Sequence, residues 1–587
     1  MRKGVLILHD LKRIFSHLGP FRREFILSIL FIIAETGFEL VIPLIMADII
    51  DVGVANRNIH YILIKGMQMG ICAVLSLITG LFYAKFAAKA ALGFGAFVRE
   101  QEFARIQTYS FSNLDHFATS SLITRMTTDI TVIQNAITGG IRPMVRGPVM
   151  LILGLFLAFL MNAKLSLVFL ACIPVLGVIL FFIVRKVAPL YGRLQICMDR
   201  VNAAIQENLT AIRAVKTFVR EEYEEEFFEK ANHSLADTSR TTFHFAVLNL
   251  PAFQATMYTA IVLILWFGGN FIRTGQMQVG QLTGFLSYVL QIVNSLLLIS
   301  NVFLMLTRSL ASARRINQVF DECPDLSDPK DPVTEISDGR IDFEHVYFKY
   351  KREAQQYTLS DIDLHIRSGE TVGIIGGTGS SKTTLVQLIP RLYDASGGRV
   401  LVGGSDVRSY SLCALRDAVG IVLQKNVLFS GTIRENLQWG NPDASDTEIW
   451  NACHTACADE FIRHFPDGLD TRLEQGGINL SGGQKQRLCI ARTLLKHPKI
   501  LIFDDSTSAV DTATEEKMRR RLSALSSMTK LVIAQRVTSV MHADKILILD
   551  DGHLHALGTH ESLLASCPVY QEIYDSQMRG GTTNGNA

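Results

Sequence analysis

Six long apolar stretches, near residues 24–50, 61–84, 140–162, 165–186, 246–272 and 281–307, dominate the first half of the chain. Each can form a helix of about 20 residues, the length that crosses the hydrocarbon core of a bilayer. Two of the intervening connections, 85–139 and 187–245, are too long for simple loops. They hold almost no proline and keep apolar residues at helical spacing, as in Val201, Ile205, Leu209 and Ile212. The pattern predicts spanning helices that run on beyond the membrane, with short turns at tips near 111–117 and 211–218. It changes near residue 325. Pro324, Pro329 and Pro332 mark a linker over 323–338, and strand-like runs then alternate with helical ones across 339–578. The last residues, 579–587, are rich in Gly, Thr and Asn and read as a disordered tail.

Charge orients the spans. Arg22, Arg23, Lys85, Lys89, Arg99, Arg185, Lys186, Arg200 and Arg220 fall on one side, whereas the short alternate loops carry little besides Arg57, Lys164 and Arg273. The positive-inside rule therefore predicts both termini and the second domain in the cytosol, with the spans in the cell membrane. Residues 1–23 lack a cleavage site and read as a cytosolic or interfacial segment, with a surface helix near 10–18. The 587 residues are 48% hydrophobic and 19% charged, apolar for a soluble protein. A net charge of +2 gives no reason to invoke nucleic acid. The nine cysteines form no paired framework. Cys453, His454 and Cys457 lack a second ligand pair, and no metal site is predicted there.

The second domain carries the chemistry. A strand at 371–375 runs into Gly376-Gly377-Thr378-Gly379-Ser380-Ser381-Lys382-Thr383-Thr384 and then into a helix. This is a phosphate-binding loop in the strand–loop–helix context it requires. Backbone N–H groups and the helix N-terminus can wrap a phosphate, Lys382 can reach its outer oxygens, and the Thr383 hydroxyl can ligate Mg²⁺. The motif expects glycine where Ser381 stands. The predicted fold class is thus multi-domain: an all-α six-helix transmembrane domain over 24–322, followed by an α/β P-loop nucleotide-binding domain over 339–578. The apolar run Ile500-Leu501-Ile502-Phe503 ends in Asp504 and Asp505. Asp504 suits Mg²⁺, and Asp505 stands where a general base would polarise water, one methylene shorter than glutamate. Leu480-Ser481-Gly482-Gly483-Gln484 opens a further helix and forms a second anion-binding end, suited to another chain's nucleotide.

Two pairs stand out in the membrane domain. Glu35 and Glu39 share a face near the middle of the first span. Ionisable groups at that depth face a cavity or a partner. They read as a site for cationic amphiphiles or a proton-linked gate, or as a structural pair with basic or hydroxyl groups on a neighbouring helix. Arg142 and Arg146 share a face on the third span and read as structural or headgroup contacts.

Together these motifs resemble the exporter-type (type IV) ATP-binding-cassette half-transporters over nearly the whole chain. The resemblance implies that Tyr350 stacks on adenine, that Gln424 contacts Mg²⁺, and that ATP and Mg²⁺ are the cofactors. It makes Ser508-Ala509-Val510-Asp511 similar to a loop that crosses a dimer interface. Thr124-Arg125-Met126-Thr127-Thr128-Asp129 and Ala311-Ser312-Ala313-Arg314-Arg315-Ile316 resemble segments of the membrane domain. Where the family has a catalytic glutamate this chain has Asp505, and where it has a histidine, Gln535. With Ser381 these departures resemble the degenerate-site subunit of a heterodimeric multidrug exporter. Its Ser481 and Gly483 would complete the competent site of a partner half-transporter that keeps the glutamate and histidine. The alternatives are a slow homodimeric exporter and an ATP-binding regulatory membrane subunit. The fused membrane-first architecture argues against an importer, the spans exclude a soluble cassette protein, and the substrate stays open.

Overall fold

The computed structural model describes residues 13, 18–351, 353–505 and 511–579, with the side chains at 300–304, 306–308 and 579 excepted. The surface helix expected near 10–18, the segment 508–510 and the tail after Arg579 lie outside the described residues, residues 13 and 18 aside. The chain divides into two compact units, Met1–Ile106 with Thr119–Asp321, and Gln107–Ala118 with Glu322–Ala587.

Among the described residues of the first unit, six helical stretches are long and apolar enough to cross a membrane. The chain begins with α1 (Arg22–Asp48) and α2 (Ile59–Gln107), then gives the short α3 (Phe111–Asp115) to the second unit. It returns through 119–140 into α4 (Ile141–Met161), followed by α5 (Ala163–Thr210). The tip helix α6 (Ile212–Thr217) leads into α7 (Glu221–Ala246), α8 (Asn249–Arg273) and α9 (Val279–Asp321). Lipid offers helices no hydrophobic incentive to associate, so small residues at close approaches matter. A Cβ on Gly280 would stand 2.3 Å from the Ala47 carbonyl, and one on Gly147 2.6 Å from Ile299. The Asp51 carboxylate accepts the Gly280 and Gln281 N–H groups at 2.5 and 2.9 Å and so caps α9 from outside.

Both polar pairs of the membrane domain meet here. Arg142 Nη2 donates to Glu35 Oε1 and Arg146 Nη2 to Glu39 Oε2, each at 2.5 Å. Arg146 Nη1 also lies 3.7 Å from Glu35 Oε1. The pairing with basic groups on another span, left open by the sequence, is therefore the observed arrangement. The segments at 124–129 and 311–316 also meet: buried Asp129 accepts from Ser312 Oγ at 2.8 Å and from Arg315 Nε at 2.7 Å. Arg125 Nη1 returns to the Arg315 carbonyl at 2.9 Å.

In the second unit the strands are β1 (Ile341–Phe348), β2 (Leu359–Ile366), β3 (Thr371–Ile375), β4 (Gly397–Val402), β5 (Ser405–Asp406) and β6 (Val419–Val422). They continue with β7 (Gly431–Thr432), β8 (Arg472–Leu473), β9 (Ile500–Asp504), β10 (Thr529–Ile533), β11 (Lys545–Asp550) and β12 (His553–Gly558). An antiparallel sheet runs β2-β1-β4-β5, a two-stranded one pairs β7 with β8, and the central sheet runs β12-β11-β3-β10-β9-β6. Its inner strands are parallel and buried on both faces, which is why β9 reads as an unbroken apolar run. The helices that matter below are α10 (Lys382–Gln387), α11 (Gly482–Leu494), α12 (Thr512–Ser523) and α13 (Pro568–Arg579).

Candidate nucleotide site

Strand register brings the motifs together. Ile533 in β10 is the partner of Ile374 in β3 on one side and of Asp504 in β9 on the other. The carboxyl ends of three neighbouring strands thus deliver the loop 376–381, the two aspartates and Gln535 to one edge, where parallel sheets bind ligands. A cavity of about 640 Å³ opens there. Gly376, Gly377, Thr378, Gly379, Ser381, Lys382, Thr383, Thr384, Gln424, Asp504, Asp505 and Gln535 all line it.

The loop's backbone dictates its letters. A Cβ on Gly376 would stand 2.2 Å from the Leu549 carbonyl, and Gly379 has φ +87°. Ser381, the N-cap of α10, also sits in the left-handed region, at φ 69° and ψ 22°. That conformation favours glycine, and a side chain there costs about 1–2 kcal/mol. The ammonium of Lys382 lies within the loop, donating to the Gly376 and Gly377 carbonyls at 2.9 and 2.7 Å and to Ser380 Oγ at 3.1 Å. Burial lowers its pKa, while Asp505 and Asp504 pull the other way. Thr383 Oγ1 donates to Asp504 Oδ1 at 2.8 Å. Burial pushes the Asp504 carboxyl above the ordinary carboxylate value, against that hydrogen bond. Asp504, Thr383 and Gln424 offer only hard oxygens, the donor set Mg²⁺ takes.

At the base position, Asp505 also has a positive φ of 48°, with its N–H bonded to the Ile533 carbonyl at 3.2 Å. Gln535 Nε2 donates to Asp505 Oδ2 at 2.7 Å. Two of the three positions at which the chain departs from its family resemblance therefore bind each other.

Tyr350 and Ser380 stand beside the cavity rather than in its wall. Tyr350 hydroxyl meets Thr384 Oγ1 at 2.9 Å, and its ring lies edge-on to Phe348 and Tyr393, with centroids 4.9 and 5.2 Å away. Tyr393 continues the chain of contacts: its hydroxyl donates to Asp115 Oδ2 at 2.8 Å, and its ring meets Phe111 edge-on at 6.1 Å. Burial and the Asp115 carboxylate raise the phenol's pKa, which keeps it a donor. Asn113 Nδ2 holds α3 to the linker through Glu322 and Cys323, at 2.6 and 2.9 Å.

Ser481, Gly483 and Gln484 are outside the cavity. Ser481 caps α11 by accepting the Gln484 N–H at 3.3 Å, while its own N–H donates to Gln484 Oε1 at 2.9 Å. Gly483 accepts Arg487 Nε at 3.3 Å. Asp511 caps α12 by accepting the Thr514 N–H at 2.9 Å.

Sequence reasoning did not single out α13, although its Ile573 and Gln577 line the cavity. Gln577 Nε2 donates to the Gln535 carbonyl, and its Oε1 accepts the Val537 N–H, both at 2.8 Å. One side chain thus clamps the backbone on both sides of Arg536. The apolar spacing of Tyr570, Ile573 and Tyr574 marks a packed helix, but nothing local marks its destination.

Residues 25–296 match the family described as ABC transporter transmembrane region, and residues 359–508 the family described as ABC transporter. The chain is 38% identical to YfiB of Bacillus subtilis, an uncharacterized ABC transporter ATP-binding protein, covering 97% of this chain and 99% of that one. It is 36% identical to Rv1273c of Mycobacterium tuberculosis, described likewise, covering 97% and 98%. It is 30% identical to YgaD of Bacillus subtilis, a putative multidrug export ATP-binding/permease protein, covering 97% and 99%. Its fold is similar to that of a bacterial Atm1-family ABC exporter with ATP bound, with a TM-score of 0.78 at 24% identity over 95% of this chain and 99% of that one.

Proposed function

The chain belongs to the ABC transporters, and from that membership we propose that it is the degenerate-site half of a heterodimeric exporter of hydrophobic or amphiphilic compounds. It has the exporter fold, six apolar helices followed by an ATP-binding cassette, and is an ATPase-coupled membrane transporter. The observation that carries the finer reading is the 2.7 Å hydrogen bond from Gln535 to Asp505. A general base must hold a lone pair within reach of the attacking water. Here the carboxylate is one methylene short and one of its oxygens accepts an amide, while Gln535 has no titratable nitrogen. The 376–384 loop, Thr383 and Asp504 remain suited to ATP with Mg²⁺, which would neutralise phosphate charge when bound. Lys382 would orient the outer phosphate oxygens, Gln424 and Asp504 would hold the metal, and Tyr350 would stack on the base.

The capped end of α11 stays intact and outside the chain's own cavity. That supports the second half of the proposal: Ser481, Gly483 and Gln484 complete a partner's competent site, which supplies the missing glutamate and histidine. The domains then run 24–322 for the membrane part and 339–578 for the cassette, joined by 323–338. Both termini lie in the cytosol and the spans in the cell membrane. The name of YgaD supports a multidrug-like substrate. Glu35 and Glu39, held by Arg142 and Arg146, act as structural pairs rather than as substrate ligands.

ATPase activity of the purified chain, alone and co-expressed with candidate partner half-transporters, tests this. Activity confined to the pair, lost when the partner's glutamate is changed and surviving Asp505→Asn here, is the expected result. Robust activity from the chain alone, abolished by Asp505→Asn, would overturn it in favour of a homodimer in which Asp505 is the base.

A further inference from the structure

A second cavity, of about 330 Å³, lies in the cassette and shares no lining residue with the nucleotide cavity. It sits between the central sheet, α12 and the turn that follows Val537–Ser539. Phe503, Met518, Leu522 and Val540 form a buried apolar wall. The volume equals about ten waters' worth, at the lower end of pockets that hold organic ligands.

Of the charged residues that line this cavity, Lys530 is the one that is buried. Lys530 is 5% exposed, and the only hydrogen bond of its ammonium among the described residues runs from Nζ to the Leu525 carbonyl at 2.7 Å. Burial lowers its pKa, with Asp544 the one charge opposing. Asp544 is exposed and its Oδ2 accepts the Thr371 N–H at 2.8 Å. Glu516 is engaged by Arg519 and Arg520, and Glu515 makes no ion pair with Lys530. His542 also lines the mouth. Among the lining side chains alone, both arginines and Lys530 against the two glutamates leave one positive charge, and Asp544, outside the lining, is the one further charge that acts on Lys530. A buried ammonium with a single neutral acceptor carries an unmet desolvation cost that an anion would relieve.

We infer that this cavity binds a small apolar monoanion, its body on the Phe503, Met518, Leu522 and Val540 wall and its carboxylate on Lys530. The site is independent of the nucleotide reading. Calorimetry on the full chain in lipid nanodiscs, with empty nanodiscs subtracted, tests it with 4-phenylbutyrate and its uncharged counterpart 4-phenylbutan-1-ol. The acid is expected to bind saturably and at least tenfold more tightly than the alcohol. Lys530→Met should remove that preference, and Ala543→Trp, which fills the cavity from a half-buried position, should abolish both. Retained binding of a fluorescent ATP analogue checks that each variant is folded. If Lys530→Met does not fold, the acid-to-alcohol ratio on the unaltered chain decides alone. No saturable binding, equal affinity for acid and alcohol, or acid binding unchanged by Ala543→Trp would overturn the assignment.

Discussion

Ser381 is the residue at which the loop's sequence and its backbone disagree most plainly. A serine at φ 69° bears a conformational penalty that glycine escapes. Ser381→Gly removes that penalty but frees the unfolded loop, so the net gain is about 0.5–1 kcal/mol. The amides of 378–384 should then exchange hydrogen about 2- to 5-fold more slowly, the factor that energy implies. Faster exchange would mean the serine hydroxyl contributes more than its backbone costs. The departure from glycine is legible in the letters, but the torsion angle that gives it a cost is not. The same holds at Asp505 and Gln535, which are separate substitutions until strand register brings their side chains to 2.7 Å.

At the level of elements, α3 and α13 carry what local pattern cannot. The tip near 111–117 is legible from the length and period of its flanking helices. That the short helix there belongs with the cassette depends on contacts made by Tyr393 and the linker, hundreds of residues later. A route of side chains joins Phe111 and Asp115 through Tyr393 to Tyr350 and Thr384. Tyr393→Phe deletes one hydrogen bond, worth about 0.5–1.5 kcal/mol, and keeps the ring packing. Nucleotide affinity should stay within about twofold, whereas stimulation of ATPase by transported compounds should fall about 2- to 10-fold, the factor that energy allows. Measuring both on the assembled transporter separates a coupling contact from a binding one. A parallel loss of both would refute this route. The part played by α13 is invisible for a related reason: Gln577 acts through the backbone of the Gln535 loop, and no motif records that contact.

For the whole molecule, the six spans and the cassette were both readable, because bilayer thickness and phosphate chemistry impose long, local patterns. Which span faces which was not, since every apolar helix offers lipid and its neighbours a similar surface. The two glutamates of α1 show the difference: their depth was evident, their arginine partners on α4 were not. That pairing bears on how the protein is made. Each carboxylate near the middle of a span adds about 2.5–3.5 kcal/mol to the cost of membrane insertion. Arg142 and Arg146 each lie 107 residues downstream of the glutamate they pair with. At about 5–20 residues per second, the ribosome needs about 5–20 s to supply them. During that interval the first span lacks these two counter-ions, and we predict that it is not stably inserted until the third emerges. Arrested nascent chains ending before residue 141 should therefore release α1 to alkaline extraction, and chains that include α4 should retain it. Glu35→Leu with Glu39→Leu should make retention independent of chain length. On that outcome, the order of translation as much as the finished bundle would be written into two acidic residues.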